Sequence, residues 1–410
     1  MSKVDLTVLG AGLGGLTAAA LLARQKKKIV VFTPANEVGG AFVPPRIEGY
    51  QFPMGPTLVF SNERAGTLQK FYADLGISDG DTERSASFQI ALPDRRITVH
   101  SEKSETLEEL SREYPREIDK IRKFFHRVDK IAVSTSKNRI SSFFSRRRRS
   151  SALLQRYHFS RELLSFFDIQ SRYFFGQSVQ DLPVNKLVSM ITTSPLYEPQ
   201  GFKKTADLLL EVILKHEGIV RYSEPFPEMV PQRRSRVSLL TTGGPVESAT
   251  VLLNTSGPLR DSIIFMGITD QAVPVGMRHD VICLPDYGRP DDLFSLSLSR
   301  HGDEHSAPRG KRALTAWFPF RTPDRDQPRS LVDPIHEIIP FLDRFTDTMQ
   351  MERPAGTQYA TPNSMLGREG SSLIRLERGT AKNTYLISDD AGHPVQAVAA
   401  AQRMVEKLRL

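Results

Sequence analysis

The chain opens with a strand-like run, Lys3–Leu9, that leads directly into Gly10-Ala-Gly12-Leu-Gly14-Gly15 and then into the Ala- and Leu-rich stretch Leu13–Gln25. This order of strand, glycine loop and helix limits the possible folds more than any other feature. Gly10 permits a tight turn, Gly12 lets backbone approach a diphosphate, and Gly15 lets the helix pack on its sheet. The helix N-terminus, with Leu13 and Gly14 in its first turn, presents N–H groups and a partial positive charge to phosphate. A second apolar strand, Ile29–Thr33, completes a βαβ unit. A glycine-rich turn with no ligand is the plainer reading, but the motif's context favours a dinucleotide site. Such a site expects a carboxylate for the ribose at the end of the second strand. Here that strand ends in Thr33.

A length of 410 residues suggests two domains. The single cysteine, Cys283, rules out an internal disulfide and fits a cytoplasmic setting; it reads as a small core residue. No secretory leader is expected, and no apolar run reaches the length of a membrane span. The net charge of +8 is unevenly placed: Arg112 to Arg161 holds 15 Lys/Arg against four Asp/Glu.

Periodicity and turn residues predict helices over 62–75, over 105–131 with a break near Pro115, over 152–175 and over 185–193. They predict a hairpin over 88–99, a helix over Gln200–Gly218, a strand over Ile219–Tyr222 and two strands around Gly243-Gly244. A last strand and a helix from about Pro394 end the chain. The separated β–α units imply one α/β nucleotide domain from 1–75, 200–260 and 376–410. A mixed α+β substrate or cap domain would come from 76–199 and 261–375.

"EVGGAF" and "GYQFPMGPTLVF", with the glycine loop, resemble the flavin-dependent phytoene desaturase and carotenoid oxidoreductase family within the amine-oxidase-like flavoproteins. The stretches "EPQGFKKTADLLLEVILKHEGIVRYSEPFPEMV", "SATVLLNTSGP" and "NTYLISDDAGHPVQAVAAAQRM" continue that resemblance. It implies a Rossmann-like, glutathione-reductase-type FAD domain and an apolar substrate region for an isoprenoid or polyene. It also implies hydride transfer to the flavin, with the cofactor carrying the chemistry. Gly10, Gly12, Leu13, Gly14 and Gly15 would then meet the diphosphate. Thr33 or Glu37 would meet the ribose. Gly39, Gly40, Gly55, Pro56, Thr57, Asp389, Val395 and Gln396 would lie along the rest of the cofactor. No catalytic residue is singled out.

Five positions depart from the family pattern. Thr33 replaces a ribose-binding Glu, Ala41 an Arg, Pro53 an Asp, Ser388 a Gly and Gln396 a Gly. Glu37, 22 residues after Gly15, is placed to substitute for the missing carboxylate if its loop folds back. The departures support a second reading: a degenerate relative with weak or no flavin binding, acting as a lipid-binding or assembly protein. A third is an NADP enzyme, with Arg46 meeting a 2′-phosphate beside Thr33.

The stripe Ile118, Ile121, Phe124, Phe125, Val128 and Ile131 alternates with Lys120, Arg122, Lys123, Arg127 and Lys130. Phe143 and Phe144 then precede Arg146–Arg149. Apolar face plus cationic flank suits peripheral contact with the inner face of a membrane. It equally suits a solvated helix packed on the body beside a loose Arg loop. Without a reader motif, nucleic acid is disfavoured. "HGDEH", His301–His305, lacks the spacing of a zinc helix and reads as a solvated loop. Trp317, Phe318 and Phe320 read as core aromatics.

Overall fold

The computed structural model describes residues 2–54, 57–60, 71–73, 75–76, 83–84, 87–137, 145, 147–197, 201–231, 236–256, 262–318, 329–352, 373–375, 383–389 and 394–408. One sheet begins with β1 (Ser2–Leu9), glycine loop and α1 (Leu13–Arg24), and β2 (Ile29–Phe32). It is completed by β3 (Ile219–Arg221), β4 (Glu228–Pro231), β5 (Val237–Thr241), β6 (Gly244–Ser256), β7 (Leu373–Arg375) and β8 (Thr384–Asp389).

Strands β3, β2, β1, β6 and β8 run parallel in that spatial order. The long β6 carries two partners in succession. Its first residues pair with antiparallel β5, and Val251–Ser256 pair with β8. The order turns at β1, with β2 on one side and β6 on the other. Open α/β sheets bind ligands at the carboxyl ends of strands beside such a switch point. The glycine loop leaves β1 there.

Near-continuous burial explains the composition of this layer. Leu6, Val8, Val31 and Phe32 have no exposed surface, as parallel strands covered on both faces require. Helix α1 is buried almost all round. It contacts α2 (Lys203–Lys215) and α3 (Pro394–Leu408) as well as the sheet. Hence its alanines: with helices on both sides, larger side chains have no room.

The second sheet has seven strands, in the order 346–352, 262–269, 311–318, 294–298, 280–283, 88–92 and 95–99. All neighbours are antiparallel except 280–283 with 88–92. Alternate side chains supply two cores. Ile263, Phe265 and Ile282 face a cluster with Phe124, Phe166 and Phe167 from the helices. Ile264, Met266 and Cys283 face Leu331, Ile335 and Ile339. Cys283 is thus core, as expected, and burial pushes its thiol well above the usual range.

The expected break near Pro115 separates helices Lys103–Glu113 and Ile118–Lys137. The expected helix over 152–175 is interrupted: Ser160 caps a fresh start at Arg161 by accepting from the Leu163 N–H. Helix α2 ends at Lys215, where Gly218 closes the turn by donating to the Ile213 carbonyl. Most of 62–75 lies outside the described residues; 71–73 and 75 are helical.

The sequence leaves the apolar stripe two settings, a membrane face or the body of the protein. Ile121, Phe124 and Val128 are completely buried, and Phe125 nearly so. The apolar stripe of Ile118–Ile131 therefore packs into the protein. Lys120, Arg122, Lys123, Arg127 and Lys130 are exposed. Phe143, Phe144 and Arg146 lie outside the described residues, as does Phe320. Among the described residues no helix is long and apolar enough to cross a membrane.

Candidate functional site

The glycine loop is held by contacts that admit no side chains. Gly10 has φ +107° and lies against the Asn254 carbonyl at the end of β6, in the space a Cβ would take. A Cβ on Gly15 would stand 2.8 Å from both the Gly10 oxygen and Val8 Cγ1. The Gly15 N–H donates to Asn254 Oδ1 in a short bond. Asn254 thus caps the third N–H of α1 from a strand 239 residues away. Helix α1 has no acidic residue in its first turn, which keeps its positive end uncancelled.

Gly39 and Gly40 fold back onto this loop. Gly39 donates to the Ala11 carbonyl at 2.8 Å and bridges Gly12. A Cβ on Gly40 would come within 3.0 Å of Gly12 Cα. Five glycines of the motifs therefore meet at one point, and Leu13 and Gly14 open the helix beside them. Sequence reading missed Lys203, whose stem packs on Gly39. Its ammonium pairs with Asp207 at 2.5 Å and Glu37 at 3.8 Å. A cation thus stands beside the glycine pair although Ala41 has replaced the expected Arg. Glu37 is half-exposed and engaged by that lysine.

Thr33 is almost completely buried. Its N–H donates to the Arg221 carbonyl, its carbonyl accepts from Glu224, and its hydroxyl accepts from the Ala35 N–H at 3.3 Å. The end of β2 is thereby closed by local bonds where a carboxylate was expected to reach outward. Arg46 stands exposed on a small hairpin, Arg46–Ile47 with Tyr50–Gln51.

From that hairpin the chain forms a strap toward the second sheet. Met54 bridges Gly201, just before α2. Pro53 is buried, and its carbonyl accepts from Thr315 at 3.5 Å. Gly55 and Pro56 lie outside the described residues. Thr57 is buried and donates a short hydrogen bond to Asp280 Oδ1; its hydroxyl is also 2.8 Å from Ser297 Oγ. Ser297 donates to the same carboxylate oxygen at 2.9 Å. Asp280 Oδ2 is buried without a hydrogen-bond partner among the described residues. Burial pushes the Asp280 carboxyl up to about 6, against the opposing effect of the two hydroxyl donors. Tyr173, hydrogen-bonded to Ser295, is pushed up by burial and by this carboxylate.

Asp280 is the second residue that sequence reading missed. Its partner Thr57 was singled out, but the pair lies 223 residues apart. Nearby, Phe60, Phe88, Phe125, Phe166 and Phe167 line a cavity of about 50 Å³. That is much smaller than the roughly 300–1,000 Å³ of ordinary ligand pockets.

Asp389 ends β8 in register with Ser256, and Ser388 precedes it opposite Thr255. Val395 and Gln396 lie in the first turn of α3. The side chains of these four lie outside the described residues. His301 pairs with Asp270 at 3.1 Å in an exposed turn.

Residues 8–75 match the family described as the NAD(P)-binding Rossmann-like domain. The chain opens with a Rossmann-like domain. Part of this Rossmann-like chain is similar to one of the limonene dehydrogenase subunits of Castellaniella defragrans, 28% identical over 129 residues, 30% of this chain and 23% of that one. A segment of 56 residues is 43% identical to the 4,4′-diapophytoene desaturase of Staphylococcus aureus strain COL, covering 14% of this chain and 11% of that enzyme. The matched segments therefore span less than a quarter of these curated relatives. Whole-chain likeness is found in structures. The Rab GDI of Plasmodium falciparum matches with a TM-score of 0.68 at 12% identity, over 100% of this chain and 98% of that one. An oxidoreductase from Methanosarcina mazei matches with 0.65 at 16%, over 99% and 100%. At such identities the likeness is one of fold, and a fold by itself does not fix a function.

Proposed function

We propose that this protein is an FAD-dependent oxidoreductase that moves a hydride between a hydrophobic, isoprenoid-like substrate and the flavin. The observation that carries the reading is the cradle at Gly10, Gly12, Gly15, Gly39 and Gly40, where a Cβ on Gly10 or Gly15 would run into backbone and one on Gly40 would reach Gly12 Cα. It fits a diphosphate: a helix N-terminus with no acidic residue in its first turn, backbone that can come close, and Lys203, itself paired with Asp207 and Glu37, beside it. The segment similarity to a desaturase supports the same reading.

Gly12, Leu13 and Gly14 would hold the diphosphate, and Thr33 or Glu37 the ribose. Thr57, Asp389, Val395 and Gln396 would lie toward the ring. When bound, FAD supplies the hydride acceptor. The chain supplies orientation, exclusion of water by the aromatic cluster, and a proton held on Asp280 at acid pH beside Thr57.

A second reading is a relative without flavin turnover that binds lipid or assembles with another protein. The closed end of β2 at Thr33 favours it, because no carboxylate faces a ribose there.

Titrating the purified protein with FAD and with NADPH, followed by flavin absorbance and fluorescence quenching, separates these readings. The proposal expects saturable FAD binding and a preference over NADPH. Thr33→Glu should tighten FAD by an amount on the order of 1–3 kcal/mol, the value of hydrogen bonds to a charged group. A protein that stays colourless in both forms refutes the flavin reading.

A further inference from the structure

Five cations of the basic segment line a cavity of about 300 Å³ between the C-terminal half of helix Ile118–Lys137 and residues 145 and 147–156. That volume reaches the lower end of ordinary ligand pockets, roughly 300–1,000 Å³. Arg127, Lys130, Arg148 and Arg156 line it, and no carboxylate is among the described lining residues. Those four make no ion pair among the described residues. Of the neighbouring acids, Asp129 pairs with Lys103 at 2.6 Å and Glu117 with Lys120 at 3.7 Å, while Asp181 at 2.6 Å neutralises Arg149, a fifth cation on the cavity wall. Four like charges around one cavity repel each other, so an unbalanced cluster favours an anion between them.

The wall is built, not loose. The Arg148 carbonyl accepts from the Val184 N–H at 2.9 Å, and Arg149 bridges Pro183. Ser150 donates both its N–H and its hydroxyl to the Leu182 carbonyl at 2.8 Å. The arginine run expected to be a loose loop is thus tied, at 148–150, to the turn before helix Val184–Thr192. Ile131, Leu153 and Val184 give the same cavity an apolar side.

We infer that this cavity is a binding site for a phosphate or diphosphate group, recognised by the arginines, with apolar matter accepted along Ile131 and Leu153. Arginine suits this chemistry because its planar fork can meet two phosphate oxygens together. The group can arrive free in solution or as the exposed phosphate of a lipid headgroup. The site does not depend on the flavin reading, since none of its residues lies in the glycine cradle.

The test titrates the full chain with inorganic pyrophosphate by calorimetry and measures co-sedimentation with vesicles of phosphatidic acid or of phosphatidylcholine alone. Three proteins are compared: wild type, Arg148→Gln/Arg156→Gln, and the charge-matched control Arg278→Gln/Arg309→Gln, whose residues are exposed and far from the cavity in sequence. Saturable one-to-one pyrophosphate binding, weakened about tenfold by the cavity variant (~1.4 kcal/mol) and not by the control, supports the inference. If only phosphatidic acid vesicles show that pattern, the phosphate comes from a lipid. Equal losses in both variants would reduce it to general charge attraction and overturn it. So would absence of saturable binding in both arms, or tighter stoichiometric binding of a duplex DNA competitor. Circular dichroism melts confirm that each variant is folded.

Discussion

Among the described residues, Asp280 carries its chemistry in an unbalanced arrangement: two hydroxyls on one oxygen and none on the other, all of it buried. The folded state raises its proton affinity from 3.8 to about 6. A raised carboxyl contributes stability that is fully present below pH 3.8 and is lost as pH rises through about 6. At about 1.36 kcal/mol per unit the loss is roughly 3 kcal/mol. Asp280→Asn removes this titration. Its stability relative to wild type should therefore climb by up to that amount between pH 4 and 7, read from urea midpoints. A difference that stays flat with pH would refute the buried-carboxyl assignment. Nothing in the sequence marks this aspartate, because what distinguishes it is Thr57, brought to it by folding. Gly10 is the opposite case, with its role legible from the motif. Gly10→Ala combines a positive φ with a clash against Asn254, so a loss of at least ~2 kcal/mol is expected in the same assay.

At the scale of elements, periodicity identified the helix Ile118–Lys137 but not what its apolar face meets. An amphipathic stripe looks the same whether it enters a bilayer or a core. Here Phe124 packs edge-on against Phe125, Tyr157, Phe159 and Phe167. Phe124→Ala should accordingly cost ~3–5 kcal/mol in denaturant unfolding. Arg122→Gln on the exposed side should change stability by no more than ~0.5 kcal/mol. A Phe124→Ala protein as stable as wild type would show that the stripe is not core. The glycine loop and its βαβ unit were more legible, because a backbone-defined turn needs particular residues at particular positions. The seven-stranded sheet was less legible. Its strands 88–92 and 280–283 pair Gln89 with Val281, more than 190 residues apart, and no local pattern announces such a partner.

Over the whole molecule, the two sheets are joined by the strap of residues 50–54. The ring of Tyr50 lies on Gly267 in space that a Cβ would fill, and its hydroxyl donates to Asp347 at 2.7 Å. Gly201 has φ +62°, and a Cβ there would stand 2.5 Å from the Met54 oxygen. Met54 and Thr57 are three residues apart in the chain, so a shift of Met54 at Gly201 is expected to reach Thr57. The Thr57 hydrogen bond holds the Asp280 carboxyl down against burial, so losing it raises that group further. Gly201→Ala should therefore shift the pH window of stability loss upward from about 6, besides lowering stability overall. Thr57→Val should produce the same upward shift without disturbing the strap's anchor. If Gly201→Ala loses stability while its pH window stays where the wild type's is, the strap does not couple the glycine cradle's layer to the buried carboxyl. If both variants shift together, a change at the start of α2 is felt across the strap by a carboxyl in the other sheet.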